Sequence, residues 1–168
     1  MNIRTESSED FDAIRQVNIA AFGRTNEADL VDELRKTAPV LSFVAVEDEQ
    51  VVGHILFSPV SVEGDCTPSC KLLGLAPIGV IPEFQNQGVG TQLVQHSLPE
   101  CSRLGFSAVV VLGHPEYYPR FGFVPASRKG LTCEYEVPDE AFMVVELQPE
   151  ALQACSGRVK YRPEFAKV

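Results

Sequence analysis

The stretch Val80-Ile81-Pro82-Glu83-Phe84-Gln85-Asn86-Gln87-Gly88-Val89-Gly90 leaves an apolar, strand-like run and enters a helical one. From Gly88 onward, Val89, Leu93, Val94, Leu98, Cys101 and Leu104 recur at helical spacing, and Gly105 is placed to end the helix. Pro99 inside that span is expected to kink the helix or stop it early. Glycine opens backbone conformations closed to other residues and lets a ligand come close to the main chain. The first turn of a helix leaves N–H groups without intrahelical acceptors and carries the positive end of the helix dipole. Such a strand-to-helix turn is a site for a phosphate or pyrophosphate that needs no basic patch. Two common phosphate motifs do not fit: a P-loop requires a Gly-Lys-Ser/Thr ending, and a dinucleotide fingerprint requires a third glycine beside Gly88 and Gly90.

Outward from this turn, the pattern implies alternating strands and helices. Upstream, Lys71–Ile81 reads as a strand containing Gly74 and Pro77. Proline cannot donate to a ladder, so this strand should be bulged or incompletely paired near position 77. Downstream, the apolar run Ala108-Val109-Val110-Val111-Leu112 suits a central strand covered on both faces. Strand, helix and strand at this length make a right-handed crossover with a parallel pair. Toward the N-terminus, Met1–Thr5 reads as a short strand. Ser7-Ser8-Glu9-Asp10 supplies capping oxygens and acids for a helix over about residues 9 to 22, with Phe11, Ile14, Val17 and Ala21 at helical spacing. Asn26 and Asp29 open a second helix with Leu30, Val31 and Leu34 as its buried stripe. Leu41–Val46 and Val51–Pro59 read as a hairpin joined through Glu47-Asp48-Glu49-Gln50. Ser61–Ser69, with Gly64 and Pro68, reads as a polar loop. Strands are expected near Phe123 and over Ala141–Leu147, and a short helix and extended tail within residues 150 to 168.

The 168 residues fit one domain, 1–168, with a short C-terminal extension from about residue 150. The 14 Lys+Arg against 23 Asp+Glu give a net charge of −9, which disfavours nucleic acid and either attracts cationic substrates such as amines or serves only solubility. No apolar run approaches the roughly 20 residues that span a bilayer. The polar start Met1-Asn2-Ile3-Arg4-Thr5-Glu6 lacks a secretory signal, so no membrane partner and a cytoplasmic location are expected. In that compartment the five cysteines, Cys66, Cys70, Cys101, Cys133 and Cys155, are expected as free thiols. Cys66 and Cys70 have a spacing within the zinc-ligand range, but no second Cys or His pair follows, and no metal is expected.

The Gln-x-x-Gly-x-Gly pattern of Gln85, Gly88 and Gly90, preceded by Val80-x-Pro82 and followed by Leu93, closely resembles the coenzyme A-binding motif of the GNAT N-acetyltransferases. The order of elements over about residues 1 to 147 is similar to that family's. Val52-Gly53-His54-Ile55-Leu56-Phe57-Ser58-Pro59 and Val111-Leu112-Gly113-His114-Pro115-Glu116-Tyr117-Tyr118-Pro119-Arg120-Phe121-Gly122-Phe123 resemble its predicted-acetyltransferase (YhbS-like) branch. The resemblance implies an α/β (α+β) GNAT fold, with a mixed central sheet whose fourth and fifth strands splay apart between flanking helices. It implies acetyl-CoA as co-substrate and no metal. Main-chain groups of Ile78, Gly79 and Val80 would pair with the pantetheine arm, and Gln85, Asn86, Gln87, Gly88, Val89, Gly90 and Thr91 would wrap the pyrophosphate. The acceptor would be the primary amine of a small molecule or peptide, attacked directly in a ternary complex; a homodimer is common among such proteins.

Acetyl transfer to an amine needs a neutral amine, a donor for the oxyanion and a proton for the departing thiolate. Family members often place a tyrosine four residues before a Gly-Phe pair, and Tyr118 stands so before Gly122-Phe123; the resemblance makes it the general acid. Tyr117 is expected to pack. His54 and His114 are the histidines considered as a base, His96 is expected on the surface, and Glu83 and Glu116 in solvent. A water chain serves equally well, and no base is assigned. Arg120 could face a phosphate or carboxylate, with an ordinary salt bridge as the plainer expectation. No cysteine falls inside either motif, so a thiol relay is not expected. The competing class is a non-catalytic acyl-CoA-binding sensor, which would keep the loop and not need Tyr118. A generic nucleotide-binding α/β protein is disfavoured by the missing lysine and third glycine.

Overall fold

Runs rich in β-branched and aromatic residues become strands, and runs with apolar residues every third or fourth position become helices. The computed structural model describes residues 1–168. Its main elements are β1 (Asn2–Thr5), α1 (Phe11–Phe22), α2 (Asn26–Thr37), β2 (Leu41–Glu47), β3 (Gln50–Cys66), β4 (Leu72–Val80), α3 (Val89–Arg103), β5 (Ala108–Leu112), β6 (Val124–Pro125), β7 (Leu131–Cys133), β8 (Phe142–Glu146) and β9 (Cys155–Lys160). The chain divides into two compact units, one of Met1–Ser58, Ala76–Ser97 and Pro163–Val168, the other of Pro59–Leu75 and Leu98–Arg162.

In the first unit β1 lies antiparallel to β2, and β2 antiparallel to the start of β3, from Leu41↔Phe57 to Glu47↔Gln50. The expected hairpin turn is present, with Asp48 and Glu49 both at positive φ (49° and 65°). Two left-handed central residues give the strand-matched twist of a tight hairpin. Ile14, Leu30, Val31, Leu34, Val44 and Leu56 form one buried cluster, and Phe165 of the C-terminal segment packs against it. Gly53 lets α3 sit close to β3, because a Cβ there would stand 3.0 Å from Val89 Cγ1 and 3.1 Å from Leu93 Cδ1. At the entry to α1, Asp10 accepts a hydrogen bond from the Ser7 N–H at 2.7 Å and pairs with Arg4 at 2.7 Å.

In the second unit β4 and β5 run parallel over Leu72↔Ala108, Leu73↔Val109 and Gly74↔Val110, and this pairing ends at Gly74. β8 pairs antiparallel with β5 and β6, so the sheet is mixed, as expected. Beyond Gly74, β4 continues to Val80 through a cis Ala76–Pro77 peptide. Leu72, Ala108, Val110, Leu131, Phe142, Val144 and Val159 belong to this unit's buried core. The helix α3 neither stops nor breaks at Pro99 and reaches Arg103. It closes with Gly105 at φ 93° and a bond from Phe106 N–H to Cys101 O, the glycine-terminated ending its sequence implies.

Three expectations are corrected here. Ser61–Ser69 is not a loop throughout: β3 extends to Cys66 because Ser61–Cys66 pairs with Cys155–Lys160, and Val60 and Val62 pack inward. The C-terminal residues expected as a short helix and extended tail contain the paired strand β9 and, after it, a short 3₁₀ helix over Pro163–Lys167. The cysteines are not all free thiols either, because the last rung of that ladder places Cys66 opposite Cys155 and they form a disulfide.

The Arg4 guanidinium, and then the Ser7 amide, hold the Asp10 carboxyl at about 2, against burial acting the other way. A depressed carboxyl stabilises the fold above its unfolded value and loses that contribution as pH falls through the folded one. Asp10→Asn should therefore lower stability at neutral pH by about 2 kcal/mol. The difference from the parent should shrink between about pH 4 and pH 2; urea titrations across that range check it.

Candidate active site

The C-terminal half of β4 leads directly into the glycine turn. Ile81 N–H donates to Val52 O on β3, and Pro82–Phe84 make one 3₁₀ turn. Two glutamine side chains brace the turn: Gln85 Nε2 donates to Val80 O at 2.9 Å, and Gln87 Nε2 donates to Glu83 O at 3.0 Å. Asn86 (φ 61°) and Gly88 (φ 84°) are both left-handed, and a Cβ at Gly88 would meet only open space. Gly88 is thus required by its backbone angle rather than by crowding. Its carbonyl accepts the N–H of Gln92, the first bond of α3, so Val89 and Gly90 open the helix.

Residues 85–88 are exposed, Val89 is buried, and Gly90 and Thr91 are half-buried. The first turn of α3 contains no acidic residue. An exposed helix start with no carboxylate suits a bound anion. Ile78 and Val80 are half-buried and Gly79 is buried. A Cβ at Gly79 would stand 3.0 Å from the Ala21 Cβ, so glycine there lets α1 close on the strand. These residues are consecutive along one strand–turn–helix of the first unit, as their sequence implies.

His54 is a candidate base by residue type, and its surroundings remove it. Asn18 Nδ2 donates to Ile14 O and stands 3.2 Å from His54 Nδ1, which therefore accepts. That leaves the ring proton on Nε2, 2.8 Å from Ser42 Oγ; the hydroxyl donates onward to Glu6 Oε1, which Arg35 also binds at 2.6 Å. Complete burial, followed by the nearby Arg35 charge, pushes the imidazole down to about 3. His54 is a neutral, doubly bonded part of the core. His96 is exposed and lies edge-on to Phe43, and Glu83 and Glu116 are exposed, as expected; His114 is exposed too.

Tyr118 belongs to the second unit. It starts a 3₁₀ turn, Tyr118–Phe121, which ends at the left-handed Gly122. Its ring is met edge-on by Tyr117 at 5.2 Å and Phe123 at 5.5 Å, and only 6% of the residue is exposed. Burial raises its hydroxyl to about 12. The ring lies directly on Gly113, where a Cβ would collide with it, while Gly113 N–H donates to Ala141 O. Gly113 is thus a seat for Tyr118 that the sequence did not single out; a glycine five residues before an aromatic carries no signal of that contact. Arg120 donates to Tyr117 O and lies 4.5 Å over the Tyr117 ring, rather than in the expected salt bridge.

Residues 9–123 match the Acetyltransferase (GNAT) family. YhbS of Escherichia coli (strain K12), described as an uncharacterized N-acetyltransferase, is 37% identical over 167 residues, covering 98% of each chain. YjhQ of the same strain, described in the same terms, is 41% identical over 131 residues, 76% of this chain and 72% of YjhQ. The crystal structure of Escherichia coli YhbS in complex with CoA superposes with a TM-score of 0.90 at 36% identity, covering 98% of this chain and 91% of that one. A Brucella melitensis GNAT family acetyltransferase in complex with acetyl-CoA gives 0.78 at 35% identity, covering 98% and 97%.

The hydrogen-bond chain fixes a testable protonation state. Nitrogen-15 NMR should show His54 as the Nε2–H tautomer, with no titration above about pH 4. A ring that titrates near 6.5, the unperturbed value, would contradict it.

Proposed function

Because the chain belongs to the GNAT acetyltransferase family, we propose that it transfers the acetyl group of acetyl-CoA to a primary amine by direct attack in a ternary complex. The observation that carries this is the exposed turn Gln85–Gly88 opening α3, left-handed at Asn86 and Gly88 and free of acids in the first helical turn. Gln85, Asn86, Gln87, Gly88, Val89, Gly90 and Thr91 hold the pyrophosphate through main-chain N–H groups. Ile78, Gly79 and Val80 offer main-chain groups to the pantetheine arm. Acetyl-CoA supplies an acetyl group activated as a thioester. The CoA and acetyl-CoA complexes of the two relatives support acetyl-CoA as the co-substrate.

Tyr118 is the general acid. With its hydroxyl raised to about 12, it keeps its proton throughout the neutral range and can give it to the departing sulfur. His54 is not the base, so the incoming amine loses its proton to water. A cleft of about 320 Å³ in the second unit, bordered by Tyr135, Glu136, Val137, Asp139 and Phe142, is the acceptor site. The link to Tyr118 runs through Gly113, which touches its ring and bonds Ala141, the neighbour of Phe142. Two carboxylates beside aromatic rings suit an amine with an apolar body. The whole chain acts as one acetyltransferase domain in the cytoplasm.

Calorimetric titration with CoA, followed by an amine screen for thiol release from acetyl-CoA, tests the proposal. On an accepted amine, Tyr118→Phe should lower kcat by about 10²-fold or more and leave CoA affinity unchanged. Full turnover in that variant would remove Tyr118 from the role. CoA binding without release to any amine would instead favour a non-catalytic acyl-CoA sensor.

A further inference from the structure

The second unit gathers three sulfurs that acetyl transfer does not use. The β3–β9 ladder runs from Ser61↔Lys160 to Cys66↔Cys155, so two cysteines face each other at its last rung. The chain then turns through Thr67, Pro68 and Ser69. Thr67 N–H donates to Ala154 O at 3.3 Å, and Cys70 N–H donates back to Thr67 O at 3.0 Å. Cys70 directs its thiol at Ala151 O, 3.7 Å away. The Sγ atoms of Cys66, Cys70 and Cys155 all lie within 4.8 Å of one another. Main-chain bonds of two strands and a turn set this convergence. Cys155 is buried, while Cys66 and Cys70 are half-buried, so the cluster has an inner wall and an outward approach.

In the structure Cys66 and Cys155 are joined as a disulfide and Cys70 is a free thiol. A reducing compartment keeps thiols reduced, and there the same three positions present three thiols. We propose that Cys66, Cys70 and Cys155 in their reduced form bind one thiophilic divalent cation of the zinc class, and that closing the Cys66–Cys155 disulfide ejects it. Thiolates bind such an ion at about 2.3 Å, which sets the sulfurs of a tetrahedral site about 3.8 Å apart. Small χ1 adjustments of three already adjacent side chains reach that spacing. Cys66 and Cys70 supply a ligand pair on one turn, Cys155 supplies the third from the neighbouring strand, and water completes the fourth position. An all-sulfur protein donor set selects soft or borderline ions over magnesium or calcium.

Binding releases the three thiol protons to solvent. Ejection is a two-electron oxidation by a small-molecule disulfide. The Cys66 and Cys155 thiolates each give up one electron as their S–S bond forms. The S–S bond of the oxidant breaks, taking both electrons and two protons to leave as two thiols. Cys70 alone does not retain the ion.

The test uses the full chain, reduced with a phosphine and freed of oxygen, then titrated with Co(II) as the coloured probe. One equivalent per chain should give the visible bands of tetrahedral thiolate coordination, which Zn(II) then bleaches. Cys70→Ser keeps the disulfide-forming pair and the fold, and should weaken uptake by at least about 10²-fold. Cys133→Ser should leave uptake unchanged. Oxidised glutathione should release the cobalt as two thiols per chain disappear. No stoichiometric uptake by the reduced protein, or equal uptake by Cys70→Ser, would overturn the proposal.

Discussion

The proposed site depends on main-chain groups that regular structure leaves over. β4 pairs with β5 for only three residues before the ladder ends at Gly74, and the strand continues to Val80 without that partner. After Val80 the chain turns, and α3 opens with amides that helix geometry cannot satisfy internally. Strand end and helix start are joined by a turn held in shape by Gln85 and Gln87 and by left-handed Asn86 and Gly88. An anion can be held there without a single lysine or arginine. That is how a chain of net charge −9 can take a phosphate-bearing co-substrate.

Rigid surroundings hold the side chains that matter. Arg35, Glu6, Ser42, His54 and Asn18 form one hydrogen-bonded line through the core of the first unit, joining α1, α2, β2, β3 and the residue that follows β1. A buried polar line is stabilising only when its members find partners, and here it fixes the histidine's tautomer rather than freeing it for chemistry. In the second unit Tyr118 is held between aromatic edges and the bare backbone of Gly113. That packing fixes the ring and, by burial, raises the hydroxyl to about 12.

Local chemistry was legible in the sequence, and contacts between distant segments were not. The turn at Gly88, the helix after it and the hairpin at Asp48-Glu49 could be read from spacing and residue type, because each is decided within a few residues; the parallel pair, 36 residues apart, followed from the rule that a strand–helix–strand crossover places its two strands side by side. Pro99 misled, because losing one helical bond did not end a helix held on both sides of it. The extension of β3 to Cys66 could not be read, because its partner lies in β9, and strand preference in a polar segment is set by the neighbouring strand. The disulfide fails for the same reason, its halves standing 89 positions apart. His54 looked like a candidate base only because a sequence shows no neighbours. The role of Tyr118 is what the family resemblance implies for a tyrosine four residues before Gly122-Phe123, and its seat on Gly113 is visible only in three dimensions.

Hydrogen–deuterium exchange with and without CoA tests the central claim most directly. The account predicts slowed exchange concentrated in Ile78–Val80 and Gln85–Thr91, where the ligand would cover main-chain N–H groups. Protection confined to other segments, or saturable CoA binding with no change across residues 78–91, would contradict it.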